Sequence, residues 1–237
     1  MLLVFRTLRI GFPTLPVYVD GNGVMPAEQD ALKAECAKAG AQFSLRARIA
    51  HDEWISTLLR YEDSPFWICD PDVVFHGPVE GFVNQETYLK GRSELVFHEP
   101  WTGTVTLQRL HTSLLYINPL LVRPMIREWV RRWHPSGFPF TPQVELIRQC
   151  YIPRGPGMPP AFQDTAAGLY NAIGGDCFTA EENETYDHLH CASYIHRMRD
   201  AIPGLQDAHR AVYNDHRIVQ GVMREPQKEF YRTHHAT

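Results

Sequence analysis

The chain has 237 residues, a formal charge of −4 at pH 7, a pI near 6.3, 44% apolar residues and 21% charged residues. That length fits one domain with its own core, and the acidic balance argues against a broad nucleic-acid-binding face while leaving room for a local basic patch. No apolar run reaches the length of a membrane span. Residues 1–10 carry Arg6 and Arg9 and lead to no small-residue cleavage site, so a secretion signal is not expected. The five cysteines include no Cys-x-x-Cys pair, which points to a reducing, cytoplasmic setting. In that setting Asn183-Glu184-Thr185 is a chance match to a glycosylation sequon.

In chain order, the apolar run 2–5 is expected to be a buried strand. A turn around Gly11-Phe12-Pro13-Thr14 leads to a second strand at 16–20, stopped by Gly21-Asn22-Gly23. Pro26 opens a helix that carries Leu32 and Cys36 on one face and closes at Gly40, with proline and glycine at the ends that favour them. Residues 42–45 form another strand candidate. Residues 51–60 read as a helix with Trp54, Ile55, Leu58 and Leu59 at its apolar positions. Asp52 and Glu53 lie in its first turn, where the helix dipole favours negative charge. A short hydrophobic strand at 65–69 ends at Asp70-Pro71-Asp72. Further strands are expected at 93–98 and 114–117, then an amphipathic helix at 124–133 burying Ile126, Trp129, Val130 and Trp133. Residues 134–160 are rich in proline and glycine and read as a long loop around a short helix near 144–150, a composition common in lids and binding loops. A helix at 164–173, ended by Gly174-Gly175, and a strand at 186–190 complete the pattern. The alternation in the first seventy residues predicts an α/β sandwich with a mostly parallel sheet. Ligands bind beyond the C-terminal strand ends of such sheets, which places Arg6, Asp20 and Asp70 at one rim.

The segment Phe66-Trp67-Ile68-Cys69-Asp70-Pro71-Asp72-Val73-Val74-Phe75 carries the most chemistry. A regular strand would send Asp70 and Asp72 to opposite faces. Pro71 favours a turn, which lets both carboxylates converge on one divalent cation. The competing reading is an ordinary solvated turn, for which Asp and Pro are equally suited. The hydrophobic strands on either side fix the pair at a sheet edge.

This segment resembles the Asp-x-Asp motif of GT-A-fold, nucleotide-sugar-dependent glycosyltransferases. Three other segments resemble the same family in order and spacing. Val4-Phe5-Arg6-Thr7 with Val17-Tyr18-Val19-Asp20 is similar to its first two strands. Phe162-Gln163-Asp164-Thr165-Ala166-Ala167-Gly168-Leu169-Tyr170-Asn171 is similar to its acceptor-side helix, although this chain has Gln-Asp where the family often has Asp-Gln. Residues 186–193 resemble the C-terminal strand that carries a metal-binding histidine, here without the usual glycine and lysine. The resemblance implies a GT-A-like α/β/α domain over 1–237, with a nucleotide-sugar-binding half at 1–100, an acceptor-binding half at 101–200 and a C-terminal extension at 201–237. It implies a transferase that uses Mn²⁺ or Mg²⁺ and a nucleoside-diphosphate sugar. Arg6, Thr7, Asp20 and Asp70 would hold the donor. Asp70, Asp72 and His190 would hold the metal, with His188 as the competing histidine. Asp164 would be the acceptor-side base if the anomeric centre inverts. The acceptor stays open among saccharide, protein, lipid-linked and nucleic-acid hydroxyls.

Other patterns offer rival readings. Gly21-Asn22-Gly23 begins like a dinucleotide fingerprint, but Pro26 replaces the third glycine. A nucleotidyltransferase would also use paired aspartates, yet residues 6–14 hold one glycine and no lysine for a phosphate loop. Cys177, His188, His190 and Cys191 could build a zinc-stabilised binding module, at a spacing that matches no common finger. Arg123, Arg127, Arg131 and Arg132 line one side of a helix, either as a solvated face or as a stripe for a polyanionic acceptor. His209, His216, His234 and His235 read as surface residues.

Overall fold

The computed structural model describes the backbone of residues 2–99, 104–152 and 161–188, and the side chains of 5–94, 109–149 and 164–188. The chain is a mixed α/β protein.

The N-terminal segment is a helix, α1 (Leu2–Gly11), and not the expected strand. A four-residue apolar run has no period of its own. The helical period appears only when Phe5, Leu8 and Phe12 are read together, and all three are buried on one face. Thr7 is fully buried behind them and accepts a hydrogen bond from the Phe75 amide at 3.2 Å. β1 (Tyr18–Asn22), α2 (Pro26–Lys38) and β2 (Gln42–Arg46) form a parallel β–α–β unit, with Tyr18 opposite Gln42 and Asp20 opposite Ser44. Pro26 starts α2, and Gly40 follows it at φ +64°, a conformation glycine adopts without steric cost. Arg9 clips this end to α1 by donating to the carbonyls of Ala39 at 3.0 Å and Gly40 at 2.5 Å, satisfying acceptors the helix terminus leaves open.

α3 (His51–Tyr61) leads to β3 (Phe66–Cys69), and β4 (Val73–Phe75) follows the Asp70–Asp72 turn. β5 (Leu89–Glu99) and β6 (Thr104–Ile117) are longer than the sequence pattern indicates. α4 (Pro119–Trp133), α5 (Pro142–Ile147), β7 (Cys150–Ile152), β8 (Ala161–Gln163), α6 (Ala167–Ile173), β9 (Asp176–Cys177), α7 (Ala180–Asn183) and β10 (Tyr186–His188) follow. The largest sheet has the order β3-β6-β5-β9. Its β3–β6 and β5–β6 pairings are antiparallel and its β5–β9 pairing is parallel, so the sheet is mixed. β4 pairs antiparallel with β10 beside it.

The described side chains of β6, residues 109–117, are buried on both faces, as their alternation shows. Leu115 and Ile117 join Ile55, Leu59, Val122, Ile126, Ile147 and Leu169 in one core, while Leu114 joins Phe5, Phe12, Val73, Phe75 and Tyr186 in another. Each such side chain contributes about 1.5–3 kcal/mol on burial. The sheet therefore cannot shift register without exposing one core, and it holds the ends of β3 and β4 rigidly.

Two helix boundaries differ from the sequence pattern. α4 starts at Pro119, so Pro124 lies inside it and one intrahelical hydrogen bond is forfeited. Its last residue, Trp133, expected inside, is 61% exposed because the helix runs past the core. α6 starts at Ala167, since Ala166 sits at φ +62° in the left-handed region and cannot continue a helix backwards. Among the described residues no helix is long and apolar enough to cross a membrane.

Candidate metal centre

The turn expected after β3 is present. The Val73 amide donates to the Asp70 carbonyl at 3.2 Å, which places Pro71 and Asp72 at the two central positions. Aspartate and proline suit the first two positions of such a turn. The Asp70 amide is itself tied to the Ser113 carbonyl of β6 at 2.8 Å, so the turn is anchored to the sheet. The Asp72 side chain is buried and that of Asp70 is about one-quarter exposed.

His188 meets them from β10. The antiparallel register puts His188 opposite Val73 and Asp187 opposite Val74. His188 Nε2 then lies 3.3 Å from Asp72 Oδ1. One ligand atom from each of Asp70, Asp72 and His188 lies within 4.8 Å of the other two. Burial first, and the Asp72 charge second, push the Asp70 carboxyl up to about 7, against the pull of His188 and Arg109. Two carboxylates and an imidazole crowded this closely could hold a divalent cation, whose charge would relieve the repulsion. The residues therefore fit the metal that the Asp-x-Asp resemblance implies. Burial and the two flanking carboxylates also push the Cys69 thiol well up, which keeps it un-ionised and weakly nucleophilic.

His190, the first choice of metal histidine, lies outside the described residues, as do Cys191, His209, His216, His234 and His235. Among the described residues, the histidine grouped with both aspartates is His188. Cys177 is exposed, 3.9 Å from the Tyr170 hydroxyl, and does not belong to this group.

The remaining candidates fall into two places. Asp20 accepts from Trp54 Nε1 at 2.9 Å and pairs with Arg46 at 2.7 Å. The Trp54 ring stacks on His51 with centroids 6.0 Å apart, and His51 Nε2 lies 3.8 Å from Asp70 Oδ1. Asp20 and Asp70 thus share one rim, bridged by α3 side chains. Arg6 is exposed on α1, and Thr7 is enclosed in the core against β4.

Asp164 sits just before the Ala166 turn. Its Oδ1 accepts from Gln149 Nε2 at 3.0 Å and from the Thr165 amide at 2.8 Å. Its Oδ2 lies 2.8 Å from Arg109 Nη2. Arg109 also donates to Glu94 Oε2 at 2.7 Å. His111 Nδ1 accepts from the Ser113 amide, which leaves the proton of the neutral ring on Nε2, 3.5 Å from Glu94. The His111 ring lies 4.8 Å from that of His188. Glu94, Arg109 and His111 escape a motif search because their neighbourhood comes from cross-strand pairing. Their period-two spacing, 109 and 111 on one strand, is the only signal the sequence holds.

The arginine stripe is not continuous. Arg123 turns inward and donates to the Leu59 carbonyl at 2.8 Å and to Asp63 at 2.8 Å, capping α3. Arg131 pairs with Glu128, and Arg132 lies over the Trp133 ring. A groove of about 380 Å³ beside α3 is lined by Ala50, Asp52, Glu53, Ser56, Arg60 and Arg148, among others, and contains none of the candidate ligands.

Comparison of the sequence with protein-family models and with curated proteins finds no match.

Proposed function

We propose that this chain is a metal-dependent glycosyltransferase of GT-A type, moving a sugar from a nucleoside-diphosphate sugar to a hydroxyl acceptor. One observation carries the reading. The Asp-x-Asp turn after a buried strand and a histidine from the last described strand converge within 4.8 Å. The sequence segments lead one to expect Asp70 and Asp72 with a histidine of the last strand, His190 first and His188 as its competitor, and His188 is the one grouped with the aspartates among the described residues.

In this reading Asp70, Asp72 and His188 hold the cation. Its mixed oxygen and nitrogen donors suit Mn²⁺ better than Mg²⁺, which prefers an all-oxygen shell. When bound, the ion supplies charge neutralisation for the departing diphosphate. Asp20, fixed by Trp54 and Arg46, is the donor-side acceptor of hydrogen bonds from the nucleoside. Asp164 Oδ2 keeps one lone pair beyond its Arg109 contact, and this atom takes the acceptor proton where the anomeric centre inverts. The acceptor oxygen forms its bond to the anomeric carbon as the bond from that carbon to the phosphate oxygen breaks. The electron pair of the broken bond leaves with the nucleoside diphosphate. The unpaired thiols of Cys36, Cys69 and Cys177 fit a cytoplasmic setting.

The test is a panel of nucleotide sugars scored for Mn²⁺-dependent release of nucleoside diphosphate. Asp72→Asn should lower release by at least a hundredfold while circular dichroism stays unchanged. Undiminished release by a folded Asp72→Asn protein sinks the assignment.

A further inference from the structure

The C-terminal end of α4 presents a surface that the metal centre does not use. Trp133 and Phe140 are each 61% exposed there. Between Pro119 and Thr141 the chain carries Arg123, Arg127, Arg131 and Arg132 against Glu128 alone, in a protein whose formal charge is −4. Arg123 is turned toward α3, so the exposed cations are Arg127, Arg131 and Arg132. Arg131 pairs with Glu128, and the Arg132 guanidinium lies 5.2 Å from the centre of the Trp133 ring. Arg127 stands one helical turn behind Arg131.

Packing holds these groups out. Between ring centres, Trp129 meets His134 at 5.0 Å and Phe138 at 5.9 Å, and His134 meets Phe138 at 4.7 Å. The Gly137 amide donates to the His134 carbonyl at 2.9 Å and closes the turn between them. The turn is thereby pinned to the end of α4, and the neighbouring rings of Trp133 and Phe140 are left in solvent. Cations in a last helical turn oppose the helix dipole, which accounts for Arg131 and Arg132. It accounts neither for Arg127 nor for two large rings that forgo burial.

Exposed rings beside cations match the boundary of a charged bilayer. There an indole sits at the headgroup level, apolar groups reach the acyl boundary and arginines meet anionic headgroups. We propose that this end of α4 docks on an anionic lipid surface, with Trp133 and Phe140 entering the interface and Arg127, Arg131 and Arg132 facing the headgroups. The attachment is peripheral, since no helix among the described residues is long and apolar enough to cross a membrane. It does not rest on the transferase reading. A second copy of the chain suits the surface poorly, because a two-fold contact would bring the arginines of both copies together. A nucleic-acid duplex also suits it poorly: the inward Arg123 interrupts the row of cations, and paired bases offer the two rings no free face.

The experiment uses the whole chain and large vesicles of phosphatidylcholine, alone or with about 30% phosphatidylserine, with partition read by co-sedimentation at low and high salt. Partition into the anionic vesicles should exceed that into the neutral ones at least tenfold and should collapse at high salt, where charge is screened. Trp133→Ala combined with Phe140→Ala should lower it at least tenfold, since such binding scales with the apolar area buried. Arg127→Gln and Arg132→Gln should each lower it about fivefold. Circular dichroism checks the fold of each variant, and the unaltered protein alone tests the proposal should one fail to fold. Equal partition into the two vesicles, or partition into neither, overturns it. So does anionic partition that the folded variants leave unchanged. Retention on a DNA duplex without vesicle binding, or self-association that the double variant abolishes without vesicle binding, overturns it in favour of that partner.

Discussion

His188 Nε2 lies 3.3 Å from Asp72 Oδ1, and this contact joins the strand that enters the site at Val73 to the strand that ends the described chain. Antiparallel pairing of β4 with β10 makes it, and the adjacent His76–Asp187 pair at 2.6 Å locks the same two strands together. A ligand supplied by a paired strand is held to the precision of the sheet, which metal coordination demands.

His188→Ala should weaken Mn²⁺ binding by at least about tenfold, since losing a direct ligand costs no less than losing a group that orients one. Isothermal titration calorimetry with MnCl₂ measures it directly. The equivalent change at His190 provides the control, and a larger loss there would transfer the ligand role to His190.

Asp70 gives a pH signature. Its carboxyl is raised from about 3.8 to about 7 in the metal-free fold. A raised acid binds its proton more tightly when folded than when unfolded, so its ionisation opposes folding. That penalty is absent below about pH 4, grows through the interval and is complete above about pH 7. Asp70→Asn should therefore stabilise the metal-free protein by about 2 kcal/mol at pH 8, once partial solvent screening is allowed for, and by almost nothing at pH 4. Urea unfolding at the two pH values checks the sign. By the same linkage Mn²⁺ competes with this proton, and its apparent affinity should fall as pH drops below about 7.

Arg109 positions Asp164 through the 2.8 Å contact between Nη2 and Oδ2. Arg109→Lys keeps a charge but loses the fork that serves two carboxylates at once. We expect kcat to fall by about 10–100-fold with the KM for the donor nearly unchanged, because the damaged group faces the acceptor. Arg109→Gln leaves Glu94 and Asp164 as neighbouring unpaired charges and should cost about 3–5 kcal/mol of stability. Partial recovery of kcat in Arg109→Lys on adding guanidinium ion would separate positioning from general structural damage.

Gly11 tests the packing behind the site. A Cβ at this position would lie 2.5 Å from the Phe75 ring, in the strand that leads away from Asp72. Gly11→Ala should destabilise the fold by about 1–3 kcal/mol, the range for overpacked cores. Chemical denaturation measures it. A neutral result would show that the Phe75 ring moves aside freely.

The sequence by itself determined the turn at Asp70-Pro71-Asp72, because proline conformation and carboxylate placement are local properties. It also determined α2, α3 and the strands at 66–69 and 42–46, where caps, glycines and hydrophobic period agree. It did not determine α1, since the run 2–5 is too short to distinguish a helix from a strand until Leu8 and Phe12 are seen packing beside it. Nor did it bring His188 to Asp72, having put His190 first, or gather Glu94 and Arg109 around Asp164. Those neighbourhoods depend on strand register and on a left-handed Ala166, which are set by burial of Leu114 and Leu115 on opposite faces of β6 and by contacts between residues far apart in the chain. Tertiary structure decided them because a pairing across a sheet leaves only a weak alternating trace in either strand.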